Sequence, residues 1–201
     1  ELIMNISDEQ LDTIKELFNI GVGRAAQTLS TMLNSFIQLE VPTVEIFVHP
    51  NYSELKKHFN LENVSAVTMD YKSSFSGSVF LMIPPESATV LVSALVNEEP
   101  GPISLDPVRA GTLCEVGNMI INSLMGSIAN VLKETVNYSL PEYKESTFEN
   151  ILLEKSEEEG TSICIANTTM KIQELEINGN LIIIFKVGHL QKLLASIDKL
   201  L

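Results

Sequence analysis

Positive charge is scarce in this chain: 13 lysines and arginines stand against 26 acids in 201 residues, for a net charge of −13. Phosphate-backbone binding needs a basic stripe that releases counterions, so a nucleic-acid partner is excluded. There is no tryptophan, and there are only two cysteines and three histidines. Cys114 and Cys164 are unclustered, in a chain too large to need staples, and read as small buried side chains in a reducing compartment. His49, His58 and His189 lack the paired spacing of metal ligands, so no metal of the protein's own is expected. No apolar run reaches the eighteen or so residues of a membrane span. The start, ELIMNISDEQ, lacks the marks of a secretory signal, and the expected location is the cytoplasm. The GVG at 21–23 has neither the preceding strand nor the Lys-Ser/Thr of a phosphate-cradling loop. What remains, at 45% hydrophobic and 19% charged, is a chain able to bury a good core.

The chain does contain a repeat. ELFN at 16–19 and EVGN at 115–118 carry the same Glu-x-x-Asn pair 99 residues apart, each inside a long helical pattern. Ser7 with Gln10 forms a capping box, after which Leu11, Ile14, Phe18, Val22, Ala25, Leu29 and Met32 make an apolar stripe to about residue 34. The opposite stripe holds Asp12, Glu16, Asn19, Gly23, Gln27 and Ser30, so Glu16 and Asn19 share a face one turn apart. Asp106 and Pro107 open the second helix. Leu113, Val116, Ile120, Leu124, Ile128 and Val131 form its apolar stripe, and Glu115, Asn118 and Asn122 its polar one.

Pro42 and Pro141 follow the two asparagines at the same distance of 23 residues, each read as lying where the chain leaves a helix for an extended segment. GSVFLMIPPESATVLVSAL from Gly77 parallels GNLIIIFKVGHLQKLLASI from Gly179, 102 residues on. Each half then reads as long helix, strand, variable segment, strand, strand, short helix. The expected strands are VPTVEIFV, VSAVTMDY and SVFLMI in repeat one, about 7–98, and ENILLE, TSICIA and NLIIIF in repeat two, about 105–201. NYSELKKHFN reads equally as a short helix or a loop, EKSEEEG at 154–160 as a solvated loop, and GPIS at 101–104 as the joint. The expected fold is α+β and internally duplicated about a pseudo-twofold axis, with the long helices packed on antiparallel sheet in a single domain.

A lone Glu-x-x-Asn carries little information, since about one is expected by chance in a chain of this size. Two in register are rarer, although duplication alone could preserve them. An acid and an amide, with no nucleophile nearby, do not build a hydrolase; they could complete one.

The composite Asp12-x3-Glu16-x2-Asn19-x22-Pro42, with Glu115-x2-Asn118-x22-Pro141, resembles the signature of the CheC/CheX/FliY family of bacterial chemotaxis phosphatases, over essentially the whole chain. Two sites are similar to the CheC type rather than the single-site CheX type, and the FliY type is expected to carry an added switch domain. At one position, where the family has Asp or Ser, this chain has Gly111. The resemblance implies hydrolysis of the aspartyl phosphate of a CheY-type response regulator, whose receiver supplies the phosphoryl group, Mg²⁺ and a lysine. Asn19 and Asn118 would position the attacking water, and Glu16 and Glu115 would dock on the receiver lysine. Asp12 would support the acid or the helix start, and Pro42 and Pro141 would shape the chain. It also permits two alternatives: a non-catalytic partner of the receptor deamidase CheD, and a structural relative within the flagellar switch.

Overall fold

Two helices of equal length set the frame. In the computed structural model, which describes residues 6–48, 55, 63–73, 76–156, 161–172, 174–186 and 188–199, α1 spans Asp8–Leu33 and α3 spans Pro107–Leu132, 26 residues each. The Ser7 hydroxyl accepts the Gln10 backbone N–H, and the Gln10 side chain accepts the Ser7 N–H in return, as the capping-box pattern requires. Asp106 caps α3 through the N–H groups of Val108 and Arg109, with Pro107 in its first turn. Both helices stop at a residue in the left-handed region, Asn34 and Lys133, again 99 apart.

Between and after them come β1 (Ile37–Val48), β2 (Asn63–Lys72), β3 (Ser76–Ile83), α2 (Pro85–Val96), β4 (Asn137–Tyr138), β5 (Glu142–Thr147), α4 (Phe148–Ser156), β6 (Ser162–Ile172), β7 (Leu175–Phe185) and α5 (His189–Ile197). The strands form one sheet in the order β1-β6-β7-β3-β2-β4, with β5 also on β2, every pairing antiparallel. The first strand of each repeat crosses to the other repeat: β1 pairs with β6, and β4 and β5 pair with β2. At the centre Phe80 lies opposite Ile182, its own counterpart at the 102-residue offset, and the pseudo-twofold axis passes through that pair.

Alternation along the central strands divides the core. Val79, Leu81, Ile183 and Phe185 face the layer of α1, α2, α3 and α5; Phe80, Met82, Ile182 and Ile184 face α4 and Leu55 on the other side. α1 and α3 pack closely because residue 21 is glycine: a Cβ there would lie 2.8 Å from the Leu124 Cα and 2.9 Å from the Ser123 carbonyl oxygen.

Some expectations are corrected. ENILLE is helical, not extended: the Thr147 hydroxyl caps α4 by accepting the Asn150 N–H at 3.2 Å, while Phe148, Ile151 and Leu152 enter the second core. The strand corresponding to β1 is instead β4 and β5, just before that helix. Glu154, Lys155 and Ser156 likewise belong to α4 rather than to a loop, whereas residues 157–160 lie outside the described set. Met32 leaves the apolar stripe and is 66% exposed, because the helix ends one residue later and Leu33 packs instead. Pro42 sits within β1, which begins at Ile37, and not at the exit from a helix. His49, His58 and, Leu55 apart, the NYSELKKHFN stretch fall outside the described residues. The third histidine, His189, bonds through its Nδ1 to the Ser76 backbone.

Candidate functional site

The polar faces of α1 and α3 hold the repeated residues as their helical spacing predicts. Glu16 and Glu115 are exposed, and Asn19 and Asn118, one turn on, are half-buried. Asp12 is exposed and makes no hydrogen bond or ion pair among the described residues; the helix start is capped by Ser7 and Gln10. The equivalent position, Gly111, is also exposed, with open space where a Cβ would stand.

The two asparagines differ in what they bind. Asn19 Nδ2 donates to the carbonyls of Lys15 and Val41, both at 3.0 Å, and Oδ1 accepts the Val41 N–H at 2.9 Å. The side-chain amide thus pairs with the Val41 backbone as a neighbouring strand would. It does so where the β1–β6 register shifts between Glu40 and Thr43, and where Pro42 offers no N–H. In the first half, therefore, the spacing from Asn19 to Pro42 is the spacing of a strap onto a bulge.

The second half solves the same problem differently. Its strand breaks between β4 and β5 at residues 139–141, and the break is held by Ser139. The Ser139 N–H donates to the Asp70 carbonyl at 2.9 Å, and its hydroxyl accepts the Asp70 N–H at 3.0 Å. Leu140, the counterpart of buried Val41, is 84% exposed. Asn118 is left out of this arrangement: Oδ1 accepts the Asn122 Nδ2 at 2.7 Å, and Nδ2 has no partner among the described residues. Sequence reading placed Asn122 on this face without giving it a role. The i, i+4 spacing to Asn118 was the signal, and Val41 left none.

Cys114, beside Glu115, is no nucleophile: burial and then the Glu115 carboxylate raise its thiol pKa, keeping it protonated. Cys164 is buried and also raised, and neither cysteine is in a disulfide. Among the described residues no three His, Cys, Asp or Glu side chains converge as metal ligands, and no helix is long and apolar enough to cross a membrane. The chemistry offered by either half-site is that of a carboxylate and an amide.

An antiparallel sheet shared by two helix-led repeats, each presenting an acid and an amide on its long helix, defines the class. Comparison with known proteins gives the family. The model described as "Chemotaxis phosphatase CheX" matches residues 65–165, half of the chain, and that of the "CheC-like family" matches residues 9–46. This chain belongs to the CheC/CheX/FliY family of chemotaxis phosphatases. The CheY-P phosphatase CheC of Bacillus subtilis is 26% identical over 154 residues, 74% of this chain and 72% of that protein. Among solved structures, Thermotoga maritima FliY superposes with a TM-score of 0.78 at 21% identity, covering 98% of this chain and 99% of that one. A CheX-CheY-BeF3-Mg complex from Borrelia burgdorferi superposes with a TM-score of 0.50 at 19% identity, over 84% and 96%. These structural likenesses establish the fold.

Proposed function

We propose that this protein hydrolyses the aspartyl phosphate of a CheY-type response regulator, with the second half-site carrying most of the turnover. The observation behind this reading is the exposed Glu115 one turn before Asn118, whose Nδ2 has no protein partner among the described residues, in a member of a chemotaxis phosphatase family. The name of the CheC relative and the CheX-CheY title supply the substrate class.

An acyl phosphate is already reactive, and the receiver brings its own Mg²⁺ and lysine. What a partner can add is a water held in line with the bond to be broken. Asn118 can donate to that water through Nδ2 and accept from it through the second lone pair of Oδ1, without ionising. The water oxygen bonds to phosphorus, and the bond from phosphorus to the aspartyl oxygen breaks. The electron pair returns to the carboxylate, and a water proton passes to the departing phosphate or to solvent. Glu115 pairs with the receiver lysine and sets the direction from which the amide enters. Asn19 has the same chemistry, yet both of its N–H bonds are engaged, so it would have to leave Val41 before it could act.

The test is phosphate release from a phosphorylated CheY-type receiver with Mg²⁺. Wild type accelerates it, and Asn118→Ala lowers kcat by at least about tenfold. Glu115→Lys raises KM more than it lowers kcat. If wild type leaves the receiver's own decay unchanged, the phosphatase reading is wrong.

A further inference from the structure

We propose that Asn122 is the positioning residue of the second half-site, holding Asn118 through its Oδ1 so that the amide is oriented before a receiver arrives. The inference rests on the phosphatase reading and extends it to a residue that never meets the substrate.

Three observations support it. The Asn122 Nδ2 lies 2.7 Å from the Asn118 Oδ1, one helical turn away. The torsion that swings an asparagine amide is broad, so a single donor on Oδ1 removes much of the freedom that would otherwise be lost in the transition state. The Asn122 Oδ1 is itself buried without a partner. An unsatisfied buried acceptor is destabilising, and a residue kept for packing alone would be apolar, so the useful part of Asn122 is its donor. Finally, the equivalent position in the first repeat is Gly23, with nothing within 4 Å of an added Cβ. The first half fixes its amide on a strand backbone and cannot use it freely. The second half fixes only the oxygen and leaves the nitrogen available.

The experiment uses the full chain in a Glu16→Ala background, which silences the first half-site without disturbing the Asn19 strap. Asn122→Ala removes the clamp, and Asn122→Leu keeps most of the volume while removing the donor without adding charge. Turnover of a phosphorylated CheY-type receiver is measured beside thermal stability and the side-chain amide resonances of Asn118 in the free protein. The expected result is a kcat about tenfold lower in both variants. KM stays within about twofold, Tm is unchanged or higher, and the two Asn118 amide proton resonances move toward exchange-averaged values. Unchanged kcat in Asn122→Leu, in a protein whose activity still depends on Asn118, overturns this inference alone. So does a parallel fall in Tm, kcat and receiver affinity, which would make Asn122 structural. An inactive wild type removes the phosphatase reading and this inference with it.

Discussion

At the scale of single residues, the protein uses one side chain in two ways. Asn19 and Asn118 occupy equivalent helical positions, yet one completes a β-ladder and the other keeps its nitrogen free. Asn19→Ala should therefore act first on stability. It leaves the Val41 N–H and carbonyl unpaired where β1 is bulged, at a cost of about 2 kcal/mol, read as a lower urea midpoint with unchanged slope. Asn118→Ala breaks no bond to backbone and leaves only the half-buried Asn122 Nδ2 without its acceptor, so it should lower the midpoint by less than Asn19→Ala. The shared face of each candidate pair was legible in the sequence, because helical spacing alone places Glu16 with Asn19 and Glu115 with Asn118. The divergence was not, since it depends on a register shift at one strand and a break in another. Ser139 and Val41 look unremarkable until their backbones are placed in the sheet.

At the scale of elements, long periodic stripes and caps were readable, and short apolar runs were not. The sequence FENILLEKS carries an apolar triplet between polar flanks, which suits a strand as well as a helix. Its state is decided by the Thr147 cap and by burial against the far side of the sheet, a layer that no local pattern reveals. The glycines of α1 provide a test of the packing. At Gly23 an added Cβ meets open space, so Gly23→Ala should stabilise by about 0.5–1 kcal/mol through helix propensity. At Gly21 the obstructing atoms are the α3 backbone, which cannot swing aside, so Gly21→Ala should push the two helices apart and destabilise. Urea unfolding of the two variants should give shifts of opposite sign.

At the scale of the whole molecule, the repeats share strands rather than merely touching. β1 needs β6, and β5 needs β2, so each half lacks an edge that only the other supplies. A chain cut between residues 100 and 101, near the expected joint, should give two fragments that are separately unfolded or aggregated, since each exposes apolar strand faces and unpaired edges. Mixed during refolding, they should recover native circular dichroism and a cooperative thermal transition. Independent folding of either fragment would contradict the exchange. The duplication itself was legible from the 99- and 102-residue offsets, whereas the exchange was not, because pairing partners are a long-range property that periodicity does not encode.

The pairing of Phe80 with Ile182 has a further consequence. A strand that lies antiparallel to its own copy is the arrangement by which a one-repeat ancestor would have met a second identical chain, and in such a homodimer every substitution falls on both sides of the axis at once. An asparagine that turned to bracing would have braced twice, and no free amide would have remained. With both copies on one polypeptide a substitution falls on one side of the axis alone, and only then can Asn19 brace a strand while Asn118 keeps its Nδ2 free.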